Sequence, residues 1–587
     1  MKKVNYIFFF LIILKGNISF GQKLQWQNTL GSSSNDLITD IEIDQAGNTY
    51  VSGHSFSTID LNPSGSPMIL GNAQSFGLSY LIKYNINKEV DWLYSIDVSS
   101  VDDYINSICI DGQGNVYITG YVGGFFNAAT DPDSIHLIGS EFGCAYIIKL
   151  NNAGNLLWHK SLISQKTPNI FGQPPWPIFV NGIKIINKDN EIYFTGTYQG
   201  VTQFDPDSSI GNLNPISNNS PYNDIFICNY TTNGDFQWVF RLASQGADAP
   251  SDLAFDNAGN LLISGLQGGA LDFDPSSTTT YAPPVKGTSD CFMAKYSPQG
   301  AFILANVFGG TLGSDRVNGI ASDEHNNVYI AGEYRDTVDF APTGIVVNAI
   351  STGLKDAYIA KYSPNKVLQW VKSFGNENDN EVFKSLAYAE GKLHTTGSFA
   401  HELHLNNSNL QALYSNGLND AMVAVFDTSG IAQQSFALGS KLSDEGLIIV
   451  PNNNHVFVGG YYRDSTDFAL DTAFSLATCQ GGYDIFIAEY NLDELVNKVK
   501  IVTIESTGLN LFPSPNNGNF SINFTEQKIS GVLEIYDLNG LLMHSEYVAP
   551  WSNTKQLNLH DKLSNGMYAL RLSFGEQMAV VKFVVEK

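Results

Sequence analysis

Apolar and polar residues alternate along this chain in short runs, and the runs break at Gly, Asn or Asp. Such runs predict strands joined by tight turns, because successive strand side chains point to opposite faces and turns need residues that tolerate unusual backbone angles. One phrase recurs seven times: an aromatic or apolar residue, two residues, then Gly. Its copies are Tyr50 to Gly53, Tyr117 to Gly120, Tyr193 to Gly196, Leu262 to Gly265, Tyr329 to Gly332, His394 to Gly397 and Phe457 to Gly460. The glycines stand 67, 76, 69, 67, 65 and 63 residues apart. A second phrase follows each first one, as in Ser79-Tyr80-Leu81-Ile82-Lys83-Tyr84, with later copies ending at Leu150, Tyr230, Tyr296, Tyr362, Phe426 and Tyr490. A third carries Trp92, Trp158, Trp238 and Trp370, with weaker copies around Leu304 and Gln434.

The seventh copy of the third phrase does not follow Tyr490. It stands at the other end of the chain, as Leu24-Gln25-Trp26-Gln27-Asn28-Thr29-Leu30-Gly31. A ring of sheets must close, and exposed strand edges invite aggregation. An N-terminal strand that completes the last sheet ties both ends together, whereas an open solenoid would want polar capping repeats instead. The prediction is all-β: a seven-bladed β-propeller over residues 22–490, closed by an N-terminal strand. From Leu24 to Tyr490 there are 467 residues, about 67 per blade, enough for four strands, their turns and one long loop.

Within a blade the first strand covers segments such as Leu37–Asp44, Tyr104–Asp111 and Ser251–Asp256. The turn that follows reads Asp44-Gln45-Ala46-Gly47-Asn48, Asp111-Gly112-Gln113-Gly114-Asn115 and Asp256-Asn257-Ala258-Gly259-Asn260. Asp opens a hairpin and Gly accepts positive φ. These turns lack the further carboxylates of a calcium loop. Copies such as Gly114-Asn115-Val116-Tyr117-Ile118-Thr119-Gly120, Ala357-Tyr358-Ile359-Ala360-Lys361-Tyr362 and Leu368-Gln369-Trp370-Val371-Lys372-Ser373-Phe374-Gly375 resemble the bacterial seven-bladed propeller repeats abbreviated SBBP. The resemblance covers nearly all of 24–490 and implies a fold, not an activity.

The totals narrow the class further. Only 15% of residues are charged, and polarity comes from Asn, Ser, Thr and 53 glycines. The net charge of −25 has no basic block, which excludes nucleic acid as a natural partner. Met1-Lys2-Lys3, an apolar run from Tyr6 to Leu14 and Ser19-Phe20-Gly21-Gln22 describe a signal peptide over residues 1–21. Its removal would take Lys2, Lys3 and Lys15 and shift the charge from −25 to −28. No later run is long enough for a transmembrane segment. Five cysteines at irregular spacing give no disulfide pairing, and Cys228 and Cys291 read as small buried hydrophobes.

What repeats is architecture, and what occurs once is a candidate for function. Asp224, Asp290, Asp356, Asp420 and Asp484 all precede the third strand, with Ser79 and Cys144 in that place elsewhere; five copies suit loop capping through backbone N–H groups. Seven residues after each repeat glycine stand Asp60, Asn127, Gln203, Asp272, Asp339, His404 and Asp467, some followed by turns such as Phe273-Asp274-Pro275. A cation bridging Asp272 and Asp274, or Asp205 and Asp207, is the alternative; no cofactor is implied beyond this opening for calcium. His401-Glu402-Leu403-His404 resembles a spaced metal pair but lies in a β-loop without an identifiable third ligand. The singular feature is an insertion from Ser164 to Phe179, with Phe171, Gly172, Gln173, Pro174, Pro175, Trp176 and Pro177. It falls on the face of the long loops, where binding usually resides, and Phe171 and Trp176 are the candidate ligand-binding residues for a sugar or peptide. The bland alternative folds both rings back over the scaffold.

After Tyr490 the repeat stops. Residues 491–508 read as a linker, and 509–587 as a small Ig-like β-sandwich. Its phrases are Leu511-Phe512-Pro513-Ser514-Pro515-Asn516-Asn517-Gly518, Tyr536-Asp537-Leu538-Asn539-Gly540 and Asn565-Gly566-Met567-Tyr568. They are similar to the type A C-terminal sorting domain of the type IX secretion system, with Pro513, Pro515, Gly518, Gly540, Gly566 and Tyr568 at its motif positions. The family's Pro-Asn-Pro here reads Pro513-Ser514-Pro515. The resemblance implies the type IX machinery as a partner and a secreted or outer-membrane surface location.

No nucleophile elbow, zinc-protease helix or phosphate loop occurs in a fitting context. The expectation is a monomeric binding or adhesion protein, not an enzyme, with an extracellular glycan or protein ligand. A carbohydrate-active hydrolase or lyase using funnel carboxylates is the alternative, and a purely structural surface protein the third.

Overall fold

The computed structural model describes residues 23–63, 65–71, 77–96, 103–123, 143–165, 180–205, 212–213, 222–276, 278–311, 315–341, 346–377, 379–407, 410–470, 475–492, 509–513, 516–524, 531–536, 542–549, 552–574 and 577–587. Among these every regular element is a β-strand. The signal-peptide segment, most of the linker, Phe171, Trp176, Pro515 and Gly540 lie outside the described residues. The chain divides into two compact units, one within Gly21–Glu494 and one within Leu495–Lys587.

The larger unit is β-propeller-like. Its antiparallel sheets begin with the strands Asp36–Ile43, Asp103–Ile110, Val180–Lys188, Ala249–Phe255, Arg316–Ser322, Val382–Ala389 and Glu445–Asn452, and each then runs through three more, the Asp103–Ile110 sheet being extended further by Val201–Gln203 and Asn212–Leu213. In the sheet that starts at Glu445 the outermost strand is Lys23–Leu30, antiparallel to Asp484–Asn491, with Leu24 opposite Tyr490 and Leu30 opposite Ile485. The Trp26 segment therefore pairs where the displaced repeat predicted. Trp26 packs edge-on against Tyr84, whose hydroxyl accepts from Asn28 Nδ2 at 2.9 Å.

Middle strands such as Thr49–Ser55 and Leu78–Tyr84 are buried along their whole length, whereas outer strands such as Val90–Ile96 are half exposed. That is why the first two phrases stand out as apolar runs. The recurring glycine has a steric cause. Each first strand carries a β-bulge, for example between Ile105 and Ser107 and between Phe383 and Ser385. A Cβ on Gly120 would lie 1.8 Å from the Tyr104 carbonyl oxygen, and one on Gly397 1.8 Å from that of Val382. No larger residue fits.

The other repeated side chains fasten one sheet to the next. Lys83, Lys149 and Lys361 each donate to a turn carbonyl of the following sheet: Asn152 at 3.1 Å, Thr232 at 2.8 Å and Thr428 at 3.3 Å. Trp92 and Trp158 donate to the same Asn152 and Thr232 oxygens, at 2.9 and 3.2 Å. At the seam between the last sheet and the first the polarity reverses. Glu489 holds the place of those lysines, and Lys88 reaches it from the neighbouring turn at 2.9 Å.

The long loops are less free than their length suggests. They contain two-stranded ribbons such as Thr337–Asp339 with Asn348–Ile350. Ribbon residues bridge back to the outer strand of the preceding sheet: Gln203 pairs with Ile163, and single bridges join Ala243 to Asp272 and Gly310 to Val338. Their Phe273, Phe340 and Phe468 are fully buried, and each carbonyl accepts from a third-strand tyrosine (Tyr296, Tyr362, Tyr490) at 2.9 Å.

The smaller unit has a three-stranded sheet (Asn510–Phe512, Asn519–Asn523, Thr554–Asn558) and a four-stranded one (Leu542–Val548, Gly531–Tyr536, Gly566–Phe574, Gln577–Val585). Both contribute to one core, which includes Phe520, Ile522, Leu533, Ile535, Leu570 and Phe583.

Candidate functional site

Residues of the first strands of the larger unit line a channel of about 730 Å³. Three successive layers of its wall come from the same positions of each strand. The bulge places Thr39, Asn106, Ile183, Ser251, Asn318, Lys384 and Leu447 at one level.

The next residues are Asp40, Ser107, Lys184, Asp252, Gly319, Ser385 and Ile448, and here a side-chain acceptor ties a strand to its neighbour. Asp40 Oδ2 accepts from the Ile108 amide at 3.0 Å and from Ser107 Oγ at 2.8 Å. Ser107 Oγ takes the Ile185 amide at 3.4 Å, Asp252 Oδ2 takes that of Ile320 at 3.1 Å, and Ser385 Oγ takes that of Ile449 at 3.4 Å. Lys184 cannot accept. Its ammonium lies instead 3.5 Å from Asp40 and 4.0 Å from Asp252. Burial works against that charge, yet Asp40, Asp252 and Glu42 outweigh it and hold the Lys184 pKa above the ordinary lysine value. Burial likewise raises the Asp252 carboxyl, with Lys184 and two backbone amides opposing.

Two residues further along stand Glu42, Cys109, Ile186, Ala254, Ala321, Ala387 and Val450. All but Cys109 line the channel, and Glu42 is the one ionisable oxygen acid among them. Burial and the nearby Asp40 push its pKa up to about 8, against the pull of Lys184 and a hydrogen bond from the Ile43 amide. Near neutral pH it is largely a carboxylic acid, able to donate as well as accept.

The residues singled out from sequence fall as follows. Phe171 and Trp176 lie outside the described residues. The repeated acids are loop caps: Asp290 accepts from the Lys286 amide at 2.8 Å, Asp420 from Asn416 at 2.9 Å and Asp484 from Gln480 at 2.8 Å. Asp60, Asp272, Asp339 and Asp467 each close a ribbon with one oxygen taking two backbone amides; for Asp339 these are Ala341 at 3.0 Å and Val347 at 3.1 Å. The turn acid Asp111 accepts from the Gln113 and Asn115 amides and from Tyr117 Oη at 2.9 Å, as a hairpin requires.

His401 and His404 do not converge. Their partners are Asp379 at 2.8 Å and Glu402 at 3.0 Å. Among the described residues no three His, Cys, Asp or Glu side chains gather as metal ligands. Among the described residues no disulfide forms: Cys109, Cys144, Cys228 and Cys291 are buried and Cys479 is partly exposed.

In the smaller unit the Pro513 carbonyl accepts from Asn516 Nδ2 at 3.3 Å, and Asn516 Oδ1 accepts the Gly518 amide at 2.8 Å. Gly518 has φ +92°, and a Cβ there would meet His560 Cα at 2.7 Å. Gly566 opens the strand that carries Tyr568, whose hydroxyl donates to the Ser564 carbonyl at 3.0 Å while its ring stacks on Phe583.

Glu42 and Lys184 were missed by motif reading, because neither belongs to a motif. Lining up the seven first strands would have exposed both, since each is charged where most sister strands are small or apolar.

Residues 510–586 match the family model described as a secretion system C-terminal sorting domain. The protein is therefore exported, to the cell surface or beyond it, and engages the type IX secretion machinery. The chain is also similar to an uncharacterized WD repeat-containing protein of Acanthamoeba polyphaga mimivirus, 26% identical over 358 residues, covering 53% of this chain and 25% of that protein. It thus spans about a quarter of that relative's length. Among solved structures, a puromycin hydrolase is 8% identical with a TM-score of 0.29, covering 73% of this chain and 58% of the other. A DUF4221-family protein from Bacteroides vulgatus is 11% identical with a TM-score of 0.25, covering 64% and 92%. Similarity at that level carries no argument about this chain.

Proposed function

We propose that this is an exported binding or adhesion protein rather than an enzyme. Its larger unit is a closed seven-bladed β-propeller of the SBBP kind that offers a glycan or protein ligand its long-loop face. Three observations support the ring: Lys23–Leu30 pairs with Asp484–Asn491, all seven first strands contribute to one channel, and the repeat phrases occur seven times. The observation that carries the function is the sorting domain, because a type IX substrate works outside the cell, where a rigid scaffold with variable loops is suited to recognition.

A hydrolase or lyase reading has one observation in its favour, the acid Glu42 in the channel. Such chemistry also needs a free base or nucleophile at hand. Asp40 and Asp252, the nearest carboxylates, are occupied by backbone amides and by Lys184. Binding is the better reading.

The test is a glycan and surface-protein array probed with the mature protein and with Trp176→Ala. Retention on one ligand class, lost in the variant with an unchanged melting temperature and no product formed, is the expected result. Turnover of any glycan would move the assignment to the enzyme, and inertness throughout to a structural surface protein.

A further inference from the structure

The channel wall holds charge that the scaffold does not use. At the Asp40 level both carboxylates are committed: Asp40 accepts from Ile41, Ile108 and Ser107, Asp252 accepts from Leu253 and Ile320, and Lys184 lies between them. Two negative charges against one positive leave a surplus of one, because the other ammonium of the wall, Lys384, is paired with Glu445 at 3.4 Å. Next to that surplus stands Glu42, with only the Ile43 amide and the more distant Lys184 in its support.

The layer it shares is unusual for what is absent. Ala254, Ala321 and Ala387 come from three consecutive strands and leave space in the channel, with Ile186 and Val450 completing an apolar wall. Phe255 and Tyr388 add aromatic rings one residue further along. An acid facing an apolar, alanine-lined space beside unbalanced negative charge suits a ligand with one cationic end and one hydrocarbon end.

We propose that the channel binds a small organic ammonium ion, with its nitrogen on the Glu42 carboxylate and its carbon chain against the alanine wall. An anion would meet Asp40, Glu42 and Asp252 together. A neutral sugar could hydrogen-bond the Thr39 level but would find few partners among the Ala, Ile and Val of the Glu42 layer, and it would leave the surplus charge unbalanced. This site is separate from the loop surface proposed above and does not depend on it.

Binding moves one proton. Glu42 enters as the acid, leaves its proton to the buffer and pairs as a carboxylate with the incoming ammonium. The other groups facing it are Asp40 on its own strand, Cys109 on the next first strand, Lys184 on the one after that, and Asp252 behind Lys184. Burial keeps the Cys109 thiol well above its usual range and Lys184 stays charged, so neither changes state between pH 6 and 8. Affinity for an ammonium therefore climbs by up to about tenfold per pH unit below pH 8 and levels off above it.

Calorimetric titration of the mature protein with butylammonium, and with butanol as the uncharged counterpart, tests this at pH 6, 7, 8 and 9 in two buffers of different ionisation enthalpy. The expected result is saturable binding of butylammonium alone, proton release at pH 6 and 7, and at least about tenfold weaker binding by Glu42→Gln. Ala254→Leu, which fills the space without touching the acid, should block binding too, and keeps the test informative if Glu42→Gln fails to fold. Equal affinity for butanol, unchanged binding by both variants, or no saturable heat up to roughly 50 mM butylammonium overturns the proposal.

Discussion

The outer parts of the larger unit and its channel wall obey opposite rules. Outside, the same side chain returns from sheet to sheet and makes the same bond: Lys83, Lys149 and Lys361 each reach the next turn, and Tyr296, Tyr362 and Tyr490 each hold a ribbon carbonyl. On the channel wall no such constancy exists. The position that is Asp40 in one strand is Ser107, Lys184, Asp252, Gly319, Ser385 and Ile448 in the others. Repetition marks groups that neighbouring sheets need in order to pack. Where packing is met by the backbone and its bulge, side chains are released for other work, and the channel is where they differ.

That contrast is broken most severely by placing a side chain where the outer rule forbids one. Gly375 ends an outer strand, and a Cβ there would lie 2.2 Å from the Asp356 carboxyl carbon. Gly375→Val must displace a buried, hydrogen-bonded acid and should destabilise the unit by roughly 3–5 kcal/mol in chemical denaturation. Gly112, whose Cβ would meet nothing within 4 Å, is the control; Gly112→Ala should stay within about 0.5 kcal/mol.

A smaller effect separates two sets of repeated acids by pH. At the seams on the loop side, burial first, and then the facing acid of the neighbouring sheet, raises Asp36 to about 6, Asp248 to about 7, Asp315 to about 6, Glu381 to about 8 and Asp420 to about 6. Acids raised in the folded state stabilise it most below their unfolded pKa, and that stability is lost as pH rises through their folded values. In the opposite turns burial disfavours the Asp256 and Asp323 charges, but hydrogen bonds from Asn260 and Lys295, and from Asn327 and Tyr329, lower both pKa values. Their contribution is present at neutral pH and lost on strong acidification. The melting temperature should therefore peak at mildly acidic pH and fall by several degrees toward pH 9. Glu381→Gln should flatten the fall between pH 7 and 9. A melting temperature that rises steadily to pH 9 would contradict the seam assignment.

How much of this was legible in the sequence follows from the same contrast. The strand phrases, the Asp-led turns and the displaced Trp26 copy could be read directly, because a constraint imposed seven times leaves seven similar traces. The glycine of the first phrase was visible, but its reason was not: it lies under a bulge in another strand, which only the pairing register reveals. Ribbons such as the one holding Asp339 were read as loop turns, since strands of three residues are too short to show alternation. Glu42 and Lys184 left no trace as a pair. They are 142 positions apart and meet through the arrangement of sheets. In the sorting domain Gly518 could be read, because its backbone angle admits little else.

Everything outside the smaller unit depends on the start of the chain being part of its last sheet. Amide hydrogen exchange followed by mass spectrometry on the intact protein measures this directly. Peptides covering 23–30 should be protected to the same degree as those covering 484–491, and removing residues 23–30 should expose the latter. If 23–30 exchanges as fast as a free peptide while 484–491 stays protected, the N-terminal strand does not belong to that sheet and the ring is not closed by it.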